Sequence, residues 1–210
     1  ICASNRNNVL TQALNSGHYD RRRELHLTAS PSMDILISSN FERFLYDISG
    51  RDSVHTAKLL AGLRERGEYF IPEAHRARYA GLMAAGVADD PTAFAAIRRV
   101  FEREGYVMDP HTAVGSHVLN DYREQTGDQS PTVLIATASP YKFASDVLGS
   151  LQGAQAVEGL DAFACAERLS KVSGVPVPRQ IAELKTLPVR HTAVCERDGM
   201  EAALFEALKK

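Results

Sequence analysis

The sequence contains no tryptophan, only three cysteines, and no apolar run approaching the ~18 residues that a membrane-crossing helix requires. Cys2, Cys165 and Cys195 are far apart and odd in number, so neither a disulfide framework nor a CxxC metal or redox motif can be drawn. A reducing cytosol is the expected compartment. No basic, apolar, small-residue stretch resembles a signal peptide, which again points to a soluble, cytoplasmic protein with no membrane partner. A dominant charge is lacking too: 24 Lys and Arg stand against 26 Asp and Glu, a net charge of -2, so nothing electrostatic calls for nucleic acid. The familiar signatures GxSxG, GxGxxG and GxxxxGK with Ser or Thr are absent, which removes a nucleophile elbow, a dinucleotide loop and a P-loop. The seven histidines show neither HExxH nor zinc-ligand spacing, and no metal site is expected. The chain also starts without methionine, and "ICASN" begins inside an apparent buried strand, so the expectation is the back part of a longer chain.

What is present is a mixture of helical and strand patterns. "ICAS" reads as a strand end, and Asn5 to Asn8 offer acceptors for a helix over "VLTQAL" that stops at Gly17. Phe41, Phe44, Leu45 and Ile48 fall at helical spacing behind Ser39 or Asn40. Ser53 is the expected cap of the next helix, Asp90-Pro91 opens another, and Gly67 and Gly105 close these two. Between them a proline-started helix and a turn near Gly86 are expected, without strand periodicity. Asp109, Pro110 and Gly127 then bracket a further helix. "PTVLIAT" reads as a strand buried on both faces of a parallel sheet, and "KFASDVLGSL", "LDAFACAERLSKVSG" and "RQIAEL" as helices. "PVRHTAVCE" reads as a strand, before a terminal helix with cations in its last turn. This predicts an α/β protein over residues 1–210, a parallel sheet flanked by helices, with a helix-rich insertion at about 30–105. No internal repeat is evident.

Open α/β sheets bind ligands at the carboxyl ends of their strands, and Thr137 stands at such an end. Its hydroxyl and that of Ser139 can face a ligand or cap the following helix. His111, two residues after Asp109, suggests acid or metal chemistry, against a helix cap with a packed histidine beside it. Asn5, Asn7 and Asn8 can line the first strand end or cap the helix. Arg21, Arg22 and Arg23 can hold a phosphate or simply be solvated.

Taken together, "ICASNRNNVLTQAL", "SPSMDILISSNFERFLYDI", "DPHTAV" and "TVLIATASPYKF" resemble successive blocks of threonine synthase, of the longer bacterial and fungal type, across residues 1 to about 148. The resemblance implies the carboxyl-side part of the large domain of a fold type II pyridoxal 5'-phosphate enzyme. It implies a lyase of threonine biosynthesis that converts O-phospho-L-homoserine and water to L-threonine and phosphate. The family's Schiff-base lysine and its phosphate-holding loop would lie upstream, so the chain by itself is expected to be inactive and to need the amino-terminal part of the enzyme. Neither Lys58 nor Lys142 stands in the family's lysine motif. The resemblance further implies that the Thr137 hydroxyl faces the cofactor's ring nitrogen, with Asn5, Asp109 and His111 as active-site neighbours. Tyr141 stands where some relatives have alanine. The implied reaction removes protons from Cα and Cβ, expels phosphate and adds water at Cβ. A related phospho-lyase that releases 2-oxobutyrate, or a noncatalytic α/β ligand-binding module, are the alternatives.

Overall fold

The computed structural model describes residues 1–209, which form two compact units, Ile1–Pro178 and the residues from Arg179 onward. In the first unit, β1 (Cys2–Ser4) leads into α1 (Val9–Ser16), and Gly17 ends that helix in the left-handed region at φ 79°. β2 (His18–Asp20) follows, then α2 (Phe41–Ile48), α3 (Ser53–Glu65), β3 (Glu68–Phe70), the short α4 (Glu73–Arg76) and β4 (Ala85–Val87). α5 (Asp90–Glu104), α6 (Pro110–Thr126), α7 (Ala144–Gln152) and α8 (Ala162–Ser173) complete it. The second unit holds α9 (Arg179–Glu183) and α10 (Met200–Leu208).

β1 pairs in parallel with β4, Ala3 opposite Gly86, while β2 and β3 form an antiparallel pair. The α/β class expected from the alternation is the class observed. Residues 30–105 are less purely helical than their sequence suggests, because β3 and β4 escaped the pattern there, as β2 did before them. Each has three residues, too short for an alternation to register. Gly86 accordingly lies in a strand, where a Cβ would come within 2.7 Å of Val118 Cγ1 on α6, so its role is close packing.

The main core joins α1, α2, α3 and the β2–β3 pair through Val9, Leu14, Tyr19, Phe41, Leu45, Leu63 and Tyr69. Tyr19 stacks on Tyr69 with ring centroids 5.1 Å apart, and Phe44 meets Tyr79 at 5.3 Å. α5 packs on α6 and α7, and α7 on α8. Aspartate caps explain four helix starts. Asp89, Asp109 and Asp161 each accept a backbone N–H of the first turn. For α3 that residue is Asp52, which accepts from His55 N–H at 2.9 Å, and Ser53 is already the first helical position.

Two expected strands did not form. Residues 131–138 are irregular, with Val133 83% and Ile135 69% exposed, and residues 188–196 are likewise without strand structure, with Val194 96% exposed. A strand exists only through its ladder partners, and no strand among the described residues pairs with either segment. In the terminal helix, Lys209 occupies the position just past the last turn, and Lys210 lies outside the described residues.

Candidate functional site

At the carboxyl end of β1 the chain turns into a buried polar network. Asn5 is 1% exposed, and its side-chain amide donates to Asp34 Oδ1 and to Thr28 Oγ1, both at 2.7 Å. Its carbonyl oxygen accepts the Asn7 backbone N–H at 2.9 Å. Asn7 in turn donates to Asp34 Oδ1 at 3.0 Å and to His26 O at 2.8 Å. The Thr28 hydroxyl also reaches Asp34 Oδ1, and the Thr28 N–H donates to Asp34 Oδ2 at 2.9 Å. Buried polar atoms persist only when partnered, and here Asp34 is the shared acceptor that satisfies them. Asn5 and Asn7 therefore do not cap α1. Asn8 occupies the cap position without a side-chain bond and accepts instead from Arg23 at 2.8 Å.

This network holds the loop that carries Ser32 and Met33 against α6. Asp109, 2% exposed, caps α6 by accepting from His111 N–H and also accepts the Thr112 hydroxyl. His111 sits 11% exposed at its side chain, with Nδ1 2.9 Å from Asp109 Oδ1 and Nε2 3.2 Å from the Ser32 amide nitrogen. A backbone N–H can only donate, so Nε2 is the acceptor and the ring proton resides on Nδ1, directed at Asp109. The ring also packs 4.9 Å from that of Phe143.

A cavity of about 440 Å³ opens beside this pair, and both His111 and Thr137 line it together with Ser32, Ala3 and Leu134. Thr137 is exposed, and its hydroxyl makes no hydrogen bond among the described residues. The structure thus brings Thr137 and His111 to one cavity, with Asp109 behind His111. Asn5 is placed outside the lining, in the network that holds the Ser32 loop. Ser139 is the cap of the turn at Pro140–Phe143, accepting from Tyr141 N–H. Tyr141 is buried and directs its hydroxyl to Ser173 and to the Val175 carbonyl, at the end of α8.

The other candidates are engaged elsewhere. Arg21 donates to Leu63 O, Arg22 pairs with Asp20 and Glu68, and Arg23 binds Asn8 and Gln12. None of the three lines the cavity. Among the described residues one trio, His18, Asp20 and Glu68, places potential metal-ligating atoms within 4.8 Å of one another. The Arg22 guanidinium, 2.9 Å from Asp20 and 2.5 Å from Glu68, already pairs with both carboxylates. Its hydrogen bonds hold the Asp20 carboxyl well below the usual range. On α7, burial first and the nearby Asp90 charge second push the Asp146 carboxyl up.

Sequence reasoning missed Asp34, Thr28, Ser30 and Ser32. One signal was available: Thr28-Ala29-Ser30-Pro31 recurs as Thr137-Ala138-Ser139-Pro140, a short repeat whose second copy already carried the site hypothesis. Each copy leads into a 3-10 turn, at Pro31–Met33 and Pro140–Phe143.

Comparison with known proteins relates the chain to a family. The family described as "Threonine synthase, C-terminal" matches residues 112–203. Human "Threonine synthase-like 1" is 36% identical over 153 residues, covering 72% of this chain and 20% of its own. A threonine synthase from Brucella melitensis, solved with PLP bound, is 37% identical with a TM-score of 0.66, covering 78% of this chain and 34% of that one. The yeast threonine synthase structure shares the fold over 99% of this chain and 41% of its own, at TM-score 0.77 and 24% identity. The chain therefore spans a fifth to two fifths of these relatives' lengths. Its small parallel sheet and flanking helices are part of the α/β architecture of these fold type II enzymes. The chain belongs to the threonine synthase family, and corresponds to a carboxyl-side portion of its members.

Proposed function

We propose that this chain is the carboxyl-side part of a cytoplasmic threonine synthase, a pyridoxal phosphate-dependent lyase that converts O-phospho-L-homoserine and water to L-threonine and phosphate. One observation carries the reading: 37% identity, over 78% of the chain, to a threonine synthase solved with PLP bound. Residues 1–210 act on this reading as one part of the large cofactor domain, with 30–105 as its insertion. An amino-terminal part completes the site with the lysine, and the chain by itself is inactive.

The residues present suit one end of the cofactor. An unpartnered Thr137 hydroxyl at a cavity walled by Ala3, Met33 and Leu134 matches a flat heteroaromatic ring with one acceptor nitrogen. Pyridoxal phosphate supplies an electron sink beside the substrate's Cα when bound. Thr137 would donate a hydrogen bond to the ring nitrogen without adding a fixed charge, which would moderate electron demand. Asp109 orients His111 by accepting from Nδ1, and the Ser32 N–H fixes Nε2, so the cavity wall keeps one arrangement. Met33 and Leu134 give that wall apolar surface.

The test is product analysis with O-phosphohomoserine, on the chain alone and joined to the amino-terminal part of a family member. Threonine with equimolar phosphate from the joined protein only is the expected result. Release of 2-oxobutyrate alone would assign a phospho-lyase, and no turnover would assign a noncatalytic module. Thr137→Val is expected to lower activity by tenfold or more, about 1.4 kcal/mol, with Thr137→Ser restoring most of it and both variants unfolding at the parental temperature.

A further inference from the structure

A second cavity, of about 360 Å³, shares no lining residue with the one that Thr137 and His111 line. It lies where three elements meet. Phe41 and Glu42 open α2, Leu60, Leu63 and Arg64 stand toward the end of α3, and Tyr19 of β2 faces Tyr69 of β3 across the strand pair. Three aromatic rings and two leucines thus wall a space of the size that small ligands occupy.

The polar groups of this cavity differ in how they are used. The Tyr19 hydroxyl accepts the Ser38 N–H at 2.9 Å and donates to Leu36 O at 3.3 Å. Arg21 is spent on the Leu63 and Arg64 carbonyl oxygens. Tyr69 is 3% exposed, yet its hydroxyl has no hydrogen-bond partner among the described residues. Burial first, and the neighbouring Tyr19 second, push its phenol up, so it keeps its proton and stands as an unused donor. A buried hydroxyl without a partner is costly, and a ligand group that meets it removes that cost. Glu42 and Arg64 are exposed, carry opposite charges and line the same cavity. Among the described residues neither side chain has an ion pair or a hydrogen bond, with the other or with any third residue.

We propose that this cavity binds a free aromatic α-amino acid whose ring carries a hydroxyl. Arg64 takes the carboxylate, Glu42 the ammonium, the walls of Tyr19, Phe41 and Leu63 the ring, and Tyr69 the ring hydroxyl. The order of the ligand's groups follows the exposure of the residues: both charges meet exposed side chains, and the single donor belongs to a buried one. An anion and a cation held apart in one cavity match a molecule that carries both charges on one carbon. An amine or a carboxylic acid alone leaves one of the two unused. Exposed charges contribute little each in water, so the ring supplies most of the affinity and the charges supply the selectivity. The proposal adds a ligand that the reaction proposed above does not consume, and it stands without that reaction.

The experiment titrates the full chain with L-tyrosine, L-phenylalanine, tyramine and 3-(4-hydroxyphenyl)propanoate, followed by ligand-observed NMR. L-Tyrosine is expected to bind with a Kd below about 1 mM. Tyramine, which lacks the carboxylate, and the propanoate, which lacks the ammonium, should each bind about fivefold more weakly. L-Phenylalanine should be weaker by about the same factor. Tyr69→Phe should then equalise L-tyrosine and L-phenylalanine without lowering the melting temperature, because the hydroxyl has no partner to lose. Glu42→Gln should weaken L-tyrosine and leave the propanoate unchanged, whereas Arg64→Gln should weaken L-tyrosine and leave tyramine unchanged. Neither residue is paired, so neither variant should disturb folding. Absence of saturable L-tyrosine binding would overturn the proposal, as would equal affinity for L-tyrosine and either one-charge analogue. L-Tyrosine binding that is unchanged in all three variants would place the ligand elsewhere and overturn it as well.

Discussion

The tetrapeptide Thr-Ala-Ser-Pro occurs at 28–31 and at 137–140, and the two copies live in opposite surroundings. In the first, Ser30 is 1% exposed and Thr28 binds Asp34 through both its N–H and its hydroxyl. In the second, Thr137 is exposed and without a partner, at the end of an apolar run that is exposed as well. Six residues past Thr28 stands a carboxylate. Six past Thr137 stands Phe143, packed on His111. The same four residues start the same kind of turn, and the residue that follows decides whether the threonine is a structural member or a free hydroxyl.

That contrast can be broken most severely at Asp34. Asp34→Ala removes the acceptor that Asn5, Asn7 and Thr28 share and leaves the Thr28 N–H without one, and we expect a loss of about 3 kcal/mol in urea unfolding. A loss under ~1 kcal/mol would mean that water replaces the carboxylate, and the first copy would be no more structural than the second.

A glycine pair sharpens the comparison on α6. Gly86→Ala and Gly115→Ala each bring a Cβ within 2.7 Å of a side-chain methyl. Val118, met from Gly86, is 3% exposed and cannot retreat, so a loss of about 2 kcal/mol is expected. Leu134, met from Gly115, is 38% exposed in the loose run and can move aside. There the helical gain of alanine, about 1 kcal/mol, should offset the contact and leave the melting temperature level or slightly raised.

Substitutions on the apolar run extend the series. Ile135→Thr should change the stability of the chain by less than about 0.5 kcal/mol, whereas Leu45→Ala, at a site 1% exposed, should cost about 3 kcal/mol. Thermal melts of the two variants side by side measure this difference.

The smallest effect concerns Asp146, beside the Asp90 carboxylate that accepts the Ala29 N–H. Its carboxyl is raised in the fold, so the folded state binds more protons than the unfolded chain above pH 3.8 and stability is lost as pH rises through that window. Asp146→Asn should therefore raise the melting temperature slightly at pH 7, with the gain vanishing as pH falls toward 3.8.

Much of the local structure was legible in the sequence. Asp109, Pro110 and Gly127 bracket α6 as their types require, and Asp109 accepts two first-turn N–H groups while Gly127 takes φ 72°. The apolar spacing of Phe41, Leu45 and Ile48 gave the buried face of α2. Strands were read less well, in both directions. β2, β3 and β4 were too short to show a period, while 132–137 and 188–196 showed one and formed no ladder. Of the candidate site, Thr137 and His111 stood out through the company of their blocks, and the cavity they share did not, because nothing local says that the two approach.

The sequence by itself determined where most helices start and stop, because caps, glycines and side-chain periods act within a few residues. Only the tertiary structure decided which polar groups are buried and which apolar ones are left open. Those outcomes depend on a partner: Asp34 supplied one to Asn5, Asn7 and Thr28, and among the described residues Val133, Ile135 and Thr137 still have none.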